Sequence, residues 1–266
     1  MNQKFKGKAI YQPEGRAAEY AVWACNFYIG CSNSCTYCYN NRFNWGNIPK
    51  LKSCFEDEDH ALKVFENELK QNLPELKKHG LFFSFTTDPL LPETVFLTKI
   101  ASLTALISNV PVTILTKRVD CIGFPVDSYP LRWKKNIAIG FTLTGHDELE
   151  PGASTNAERI ETMQKLHDVG IKTWASIEPL IDFSSGIDMI VNTMKFCDLY
   201  KIGILSGKSY DEKMLKTFVQ FVYAMKTKDK KALKIYFKDS LLKQAGIRRE
   251  DLPENCVDRD YNLFNN

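Results

Sequence analysis

Hydrophobic positions along this 266-residue chain alternate between short apolar runs and longer stretches with helical spacing. Residues 22–28 read as a first strand. Residues 59–73 place Leu62, Phe65, Leu69 and Leu73 on one face of an amphipathic helix. Residues 81–85 are a short apolar run of the kind a buried strand shows, and residues 93–108 are helical by pattern. Further strands are expected at 112–115, 137–143, 171–177, 199–204 and 232–237. Thr155 stands three residues before Glu158, a capping box that opens a helix closed by Gly170. Helices are also expected at 187–196, 214–225 and 240–245. Gly123, Pro125 and Pro130 predict an irregular connection over 120–135. Strands alternating with helices in this way predict an α/β fold with a parallel sheet, built from about six βα units.

Composition narrows the class. The chain is 44% hydrophobic and 25% charged, as in soluble globular proteins. No apolar run reaches the length of a membrane span. The first six residues lack the apolar core of a signal peptide. Eight cysteines in such a chain point to a reducing cytoplasm and a metal site, and away from a disulfide framework. The formal net charge of +3 predicts no partner. Nine Lys and Arg residues between 226 and 249 face Asp229 and Asp239. Such a run can attract phosphates, but it reads more readily as a solvated helix face.

Three of the cysteines share one loop, Cys31, Cys35 and Cys38, with spacing C-x3-C-x2-C. Thiolates suit iron–sulfur clusters and zinc. A four-iron cluster usually takes four cysteines, so three leave one iron open. Open metal positions usually do chemistry. Zinc loops usually repeat a C-x2-C pair downstream, and no second pair follows here. Cys25, Cys54, Cys121, Cys197 and Cys256 are isolated and read as small buried hydrophobes.

The loop resembles that of the radical S-adenosylmethionine (SAM) enzymes. The resemblance implies a partial (β/α)6 TIM-like barrel with a parallel sheet, a [4Fe-4S] cluster on Cys31, Cys35 and Cys38, and SAM on the open iron. It implies reductive cleavage of SAM to a 5′-deoxyadenosyl radical that takes hydrogen from a substrate. It also implies an external electron donor of the flavodoxin or ferredoxin type. Tyr37, the aromatic before the third cysteine, would lie near the adenine. Residues 11–20 contain Pro13, then Gly15-Arg16-Ala17-Ala18-Glu19-Tyr20, and lead into Gly30-Cys31. That approach resembles the spore photoproduct lyase-like branch, with a weaker likeness to a phage-associated radical SAM family. In the lyase, tyrosines placed like Tyr37 and Tyr39 are implicated in hydrogen-atom relay. The lyase itself is not implied: Ser84 and Thr86 stand where its hydrogen-donating cysteine would be expected.

On this reading residues 1–21 are an N-terminal extension, 22–226 the partial barrel, and 227–266 a basic strand-and-helix extension packed on it. The C-terminal ends of barrel strands carry active sites. Asp88 reads either as an acceptor for the SAM ammonium or as an ordinary Asp-Pro turn. Lys117 can pair with a carboxylate or phosphate. Thr142 and Thr144 are candidates for the SAM ribose, and the pattern leaves open which faces inward. Arg159 reads as a contact to the SAM carboxylate or as a surface salt bridge. Glu178 ends an apolar strand and calls for a partner, for which Lys238 is the candidate. Tyr39, Glu178 and Lys238 are the catalytic candidates. A lyase- or transferase-type reaction is expected, with the substrate open among nucleic acid, peptide and metabolite. The rival readings are a zinc-binding nucleic-acid module and a non-catalytic protein that binds cluster and SAM.

Overall fold

A computed structural model describes residues 4–122 and 130–265. Ten strands are described: β1 (Ile10–Tyr11), β2 (Ala24–Cys25), β3 (Tyr28–Ile29), β4 (Lys50–Leu51), β5 (Leu81–Phe83), β6 (Val112–Thr116), β7 (Ile137–Thr142), β8 (Lys172–Leu180), β9 (Leu199–Ile204) and β10 (Ile235–Phe237). One sheet has the order β1-β2-β5-β6-β7-β8-β9-β10. Its seven strands from β2 onward pair in parallel, and β1 adds an antiparallel edge to β2. β3 and β4 form a separate antiparallel ribbon. Among the described residues the α-helices are α1 (Glu58–Gln71), α2 (Leu73–His79), α3 (Val95–Ile107), α4 (Leu131–Lys134), α5 (Asn156–Asp168), α6 (Phe183–Thr193), α7 (Glu212–Ala224) and α8 (Asp239–Gln244).

Strand alternation sorts the core into two layers. Outward residues such as Ile114, Ile139, Ala175 and Ile177 pack with helix residues Phe65, Ala101, Met163 and Phe218. Inward residues Phe82, Ala138, Trp174, Leu199 and Tyr236 form a second cluster, joined by Val257 and Leu263 of the C-terminal segment. Both faces are covered, so β7 is buried along its whole length. The indole of Trp174 occupies the interior over Gly140, where a Cβ would lie 2.1 Å from the ring. At the opposite end from the strand tops, residues 259–264 lie against Leu81, Thr113 and Leu199.

The α/β class and parallel sheet are as the sequence predicts, but several boundaries differ. The expected strand 22–28 is broken after Cys25. The Asn26 side chain donates to the Tyr11 hydroxyl (2.6 Å) and accepts from Phe85 N (2.8 Å), and the chain then leaves the sheet for β3. The expected strand 171–177 continues to Leu180, with a register shift between Ile177 and Leu180. The helix expected at 187–196 starts earlier because Asp182 caps it, accepting from Ser185 N at 2.9 Å. α4 stands within the expected irregular connection 120–135, of which 123–129 lie outside the described residues. The basic run is no helix face: it covers a turn, β10 and α8, and it contains the buried Lys238. Among the described residues, no helix is long and apolar enough to cross a membrane.

Candidate active site

A cavity of about 630 Å³ opens at the strand tops, within the range of small-molecule sites. Its wall includes the three loop thiols of Cys31, Cys35 and Cys38, together with Tyr37, Tyr39, Asp88, Lys117, Thr142, Glu178 and Lys238. Residues from six successive strand ends, β5 through β10, therefore share one space, which requires the sheet to curve around it.

The cysteine loop is folded tightly. Gly30 has φ +83°, and a Cβ there would meet Ile48 O at 2.6 Å and Trp45 O at 2.9 Å. Glycine is thus required immediately before Cys31. Asn33 donates to Asp88 Oδ2 (2.8 Å), Asn40 donates to Thr86 O (3.2 Å), and the Tyr39 hydroxyl donates to Phe85 O. These bonds fasten the loop to the end of β5. On the other side Thr36 N donates to Leu149 O (2.9 Å), Gly152 N to Asn33 O (3.0 Å), and the Tyr37 hydroxyl to Glu150.

Three thiols with no histidine beside them are a soft donor set that fits an iron–sulfur cluster. Burial, then Asp88, pushes the Cys31 thiol up to about 12, so ligation there displaces a proton. Among the described residues no three His, Cys, Asp or Glu side chains are grouped as a single metal ion needs. A lone zinc draws thiolates to ~2.3 Å from one point.

Of the two readings of Asp88, ammonium acceptor and turn residue, its hydrogen bonds fit the second. Its Oδ1 accepts from Leu90 N (3.0 Å) and Thr116 Oγ1 (2.7 Å), and its Oδ2 from Asn33 Nδ2 and Lys117 N (2.7 Å). Four bonds fill the capacity of a carboxylate. Asp88 therefore holds the cysteine loop to β6. Lys117 lies 5.6 Å above the Tyr37 ring. Burial works against its charge, but Tyr37, Cys35, Glu150 and Asp88 outweigh burial and raise its pKa well above the ordinary value.

Thr144 and Arg159 correct their expected roles, because neither lines the cavity. Residues two apart in a strand share a face, but β7 ends at Thr142. Thr144 then turns away, its hydroxyl accepting from His146 N at 3.2 Å. The fully buried Arg159 donates to Thr142 O (2.5 Å), Ser154 O (2.8 Å) and Glu150. It braces α5 against β7 and is neither a cofactor contact nor a surface salt bridge.

In the same cavity, Lys238 Nζ lies 2.8 Å from Glu178 Oε2 and 3.0 Å from Oε1. Gly203 of β9 makes room for this pair: a Cβ there would meet Lys238 Cδ at 2.8 Å and Glu178 Cδ at 2.9 Å. The Tyr20 hydroxyl bonds Glu178 Oε2 (2.5 Å) and Ser176 Oγ (2.8 Å), and its ring lies 4.3 Å below Lys238 Nζ. Burial, then Glu178, raises the Tyr20 pKa well above its ordinary value. Glu19 accepts from Tyr236 Oη (3.0 Å) and Asp239 N (2.8 Å) and lies 3.8 Å from Lys238. Beneath them, Lys201 donates to Glu19 O (3.1 Å) and Tyr20 O (2.8 Å). Burial, then Lys238, lowers its pKa to about 7. Glu19 and Tyr20 belong to the segment that carries the family resemblance, which was the one signal for them. Nothing in the sequence marked Lys201.

Comparison with known proteins agrees with this geometry. Residues 25–197 match the model of the radical SAM superfamily, whose members imply an iron–sulfur cluster and SAM. An uncharacterized protein of Methanocaldococcus jannaschii is 28% identical over 206 residues, covering 72% of this chain and 73% of its own. Streptococcus suis SuiB bound to S-adenosylmethionine superposes with a TM-score of 0.57 at 13% identity, over 83% of this chain and 51% of that one. A spore photoproduct lyase mutant gives 0.55 at 14% identity, over 75% and 59%. The chain thus spans about half the length of SuiB, and these likenesses show the fold. With the matched region covering well over half of its length, the chain belongs to the radical SAM superfamily.

Proposed function

We propose that this chain is a radical SAM enzyme whose [4Fe-4S] cluster is held by Cys31, Cys35 and Cys38. The observation that carries the reading is that Cys31, Cys35 and Cys38 line one cavity with Lys117, Glu178 and Lys238. When bound, the cluster would supply an electron to SAM, giving a 5′-deoxyadenosyl radical that takes hydrogen from the substrate. The chain's own residues do the rest. Gly30 and the bonds of Asn33, Tyr39 and Asn40 fix the loop. Lys117 offers a cation to a carboxylate, Thr142 adds a polar contact at the top of β7, and Tyr37 presents a ring face to an adenine. Tyr20, Glu178 and Lys238 line the same cavity, where a substrate would meet an oriented hydroxyl and a carboxylate paired with its lysine. A low-potential flavodoxin or ferredoxin is the external electron donor this chemistry requires.

Metal content tests the reading against zinc. After anaerobic reconstitution the protein should be brown, with close to four irons and four sulfides per chain, as the cluster stoichiometry requires. Cys31→Ala, Cys35→Ala and Cys38→Ala should each lose most of that iron. Colourless protein carrying one zinc per chain would overturn the proposal.

A further inference from the structure

Two arginines line the active-site cavity without a carboxylate partner. Arg16 stands in the short 3-10 helix Gly15–Glu19, and Arg42 in the 3-10 helix Tyr39–Phe43 that follows the last loop cysteine. Both are exposed, which places them at the cavity mouth. They reach the same stretch of the connection from β9 to α7. Arg16 Nη1 donates to Ser206 Oγ at 3.1 Å, and Arg42 Nη2 lies 3.8 Å from where a Cβ on Gly207 would stand. That is the one contact the Cβ would meet within 4 Å, so the space between Gly207 and the Arg42 guanidinium is open. Gly207 has φ +86°, a conformation that disfavours any side chain and so keeps the space clear.

No acid on the wall is left to neutralise the two. The carboxylates that line the cavity are Asp88 and Glu178. Asp88 is filled by its four donors, and Glu178 is bonded to Lys238 and Tyr20. Among the described residues neither Arg16 nor Arg42 forms an ion pair. Two cations brought from separate elements to one open space repel each other, and an anion between them turns that repulsion into attraction. Guanidinium forks match the oxygens of phosphate, and Arg16 gives Ser206 only one of its five N–H groups. Charge selects the anion. A carboxylate or a phosphodiester brings one negative charge, whereas a phosphate monoester brings about 1.5 to 2 at neutral pH and matches both arginines. The place adjoins the ion pair, because Lys238 Nζ also donates to Arg16 O at 3.4 Å. We propose that Arg16 and Arg42 clamp a phosphate monoester carried by the substrate, against Ser206 and Gly207, with the rest of the molecule directed toward Glu178 and Lys238. This rests on the reading that the cavity is the active site, and it names the substrate group held at its mouth.

The test is calorimetric titration of the reconstituted, cluster-loaded protein with three probes: phenyl phosphate, its diester ethyl phenyl phosphate, and a 5′-phosphorylated dinucleotide. Wild type should bind phenyl phosphate about tenfold more tightly than the diester at pH ~7.5. Most of that preference should vanish at pH ~5.5, where the monoester has taken up its second proton. Arg16→Gln and Arg42→Gln should each weaken phenyl phosphate about tenfold and change the diester by less than about threefold. Iron content, cluster absorbance and thermal midpoint equal to wild type mark a variant as intact. The same arginine dependence with the dinucleotide bound more tightly than phenyl phosphate supports the clamp and assigns it to a strand end; tighter phenyl phosphate supports it and assigns it to a small molecule. No preference of wild type for the monoester, or unchanged affinity in either intact variant, would overturn the inference while leaving the cofactor reading in place. Wild-type protein that takes up no cluster would overturn that reading instead.

Discussion

Lys201 is a lysine in the floor beneath the ion pair, and its environment has a measurable consequence. Unfolded, it keeps its proton to about pH 10.4. Folded, it loses the proton near pH 7. Between those values the unfolded chain holds more protons, so stability rises with pH, by up to about 1.4 kcal/mol per unit from this group. Lys201→Met removes that slope. The prediction is that wild type gains on the variant in urea midpoint between pH 7 and 9; parallel profiles would refute it. Glu178 makes the converse case. Glu178→Ala leaves the Lys238 ammonium buried without its near partner, and should cost about 3 kcal/mol in denaturant unfolding. Adding Lys238→Met should return part of that loss, because the uncompensated charge is gone. Sequence alone pairs Glu178 with Lys238, since an acid after an apolar strand calls for a base. It also assigns Arg159 to the cofactor, where burial against Glu150 and the Thr142 carbonyl commits it to the scaffold.

At the scale of elements, hydrophobic spacing locates the strands and helices but not their ends. β8 outruns its apolar pattern because Glu178 is inward-facing and the register shift carries the strand on to Leu180. β1 and β2 are two residues each, too short for any period to register. Glycines record constraints that periodicity does not. Gly140 in β7 and Gly203 in β9 are inward positions whose space is taken by Trp174 and by the ion pair, respectively. Gly140→Ala forces a methyl into the indole and should cost about 3 kcal/mol in a urea melt, with fluorescence of the buried tryptophan altered. Gly203→Ala pushes on Glu178 and Lys238 directly. It should reduce activity more than stability, read as turnover at matched folded fraction.

For the whole molecule, the parallel sheet wraps the cavity, and chain from outside the barrel strands contributes at each end. The C-terminal segment fills the interior below, and residues 15–20 bring Tyr20 to the active-site wall. The α/β class was legible in the alternation of strand and helix. The inward contribution of residues 15–20 was not, because Glu19 and Tyr20 gain their partners from β8, β10 and α8, more than 150 positions away. The basic run misled for a similar reason: only the fold separates Lys238, drawn inside, from exposed Lys228 and Lys230. The central claim is that the three-cysteine wall makes a SAM-cleaving centre. Its most direct test is formation of 5′-deoxyadenosine from SAM by the anaerobically reconstituted protein under strong reductant. The account predicts 5′-deoxyadenosine that depends on reductant and is abolished in Cys35→Ala. Absence of the product from wild-type protein with its cluster intact, or equal amounts from the cysteine variant, would contradict it.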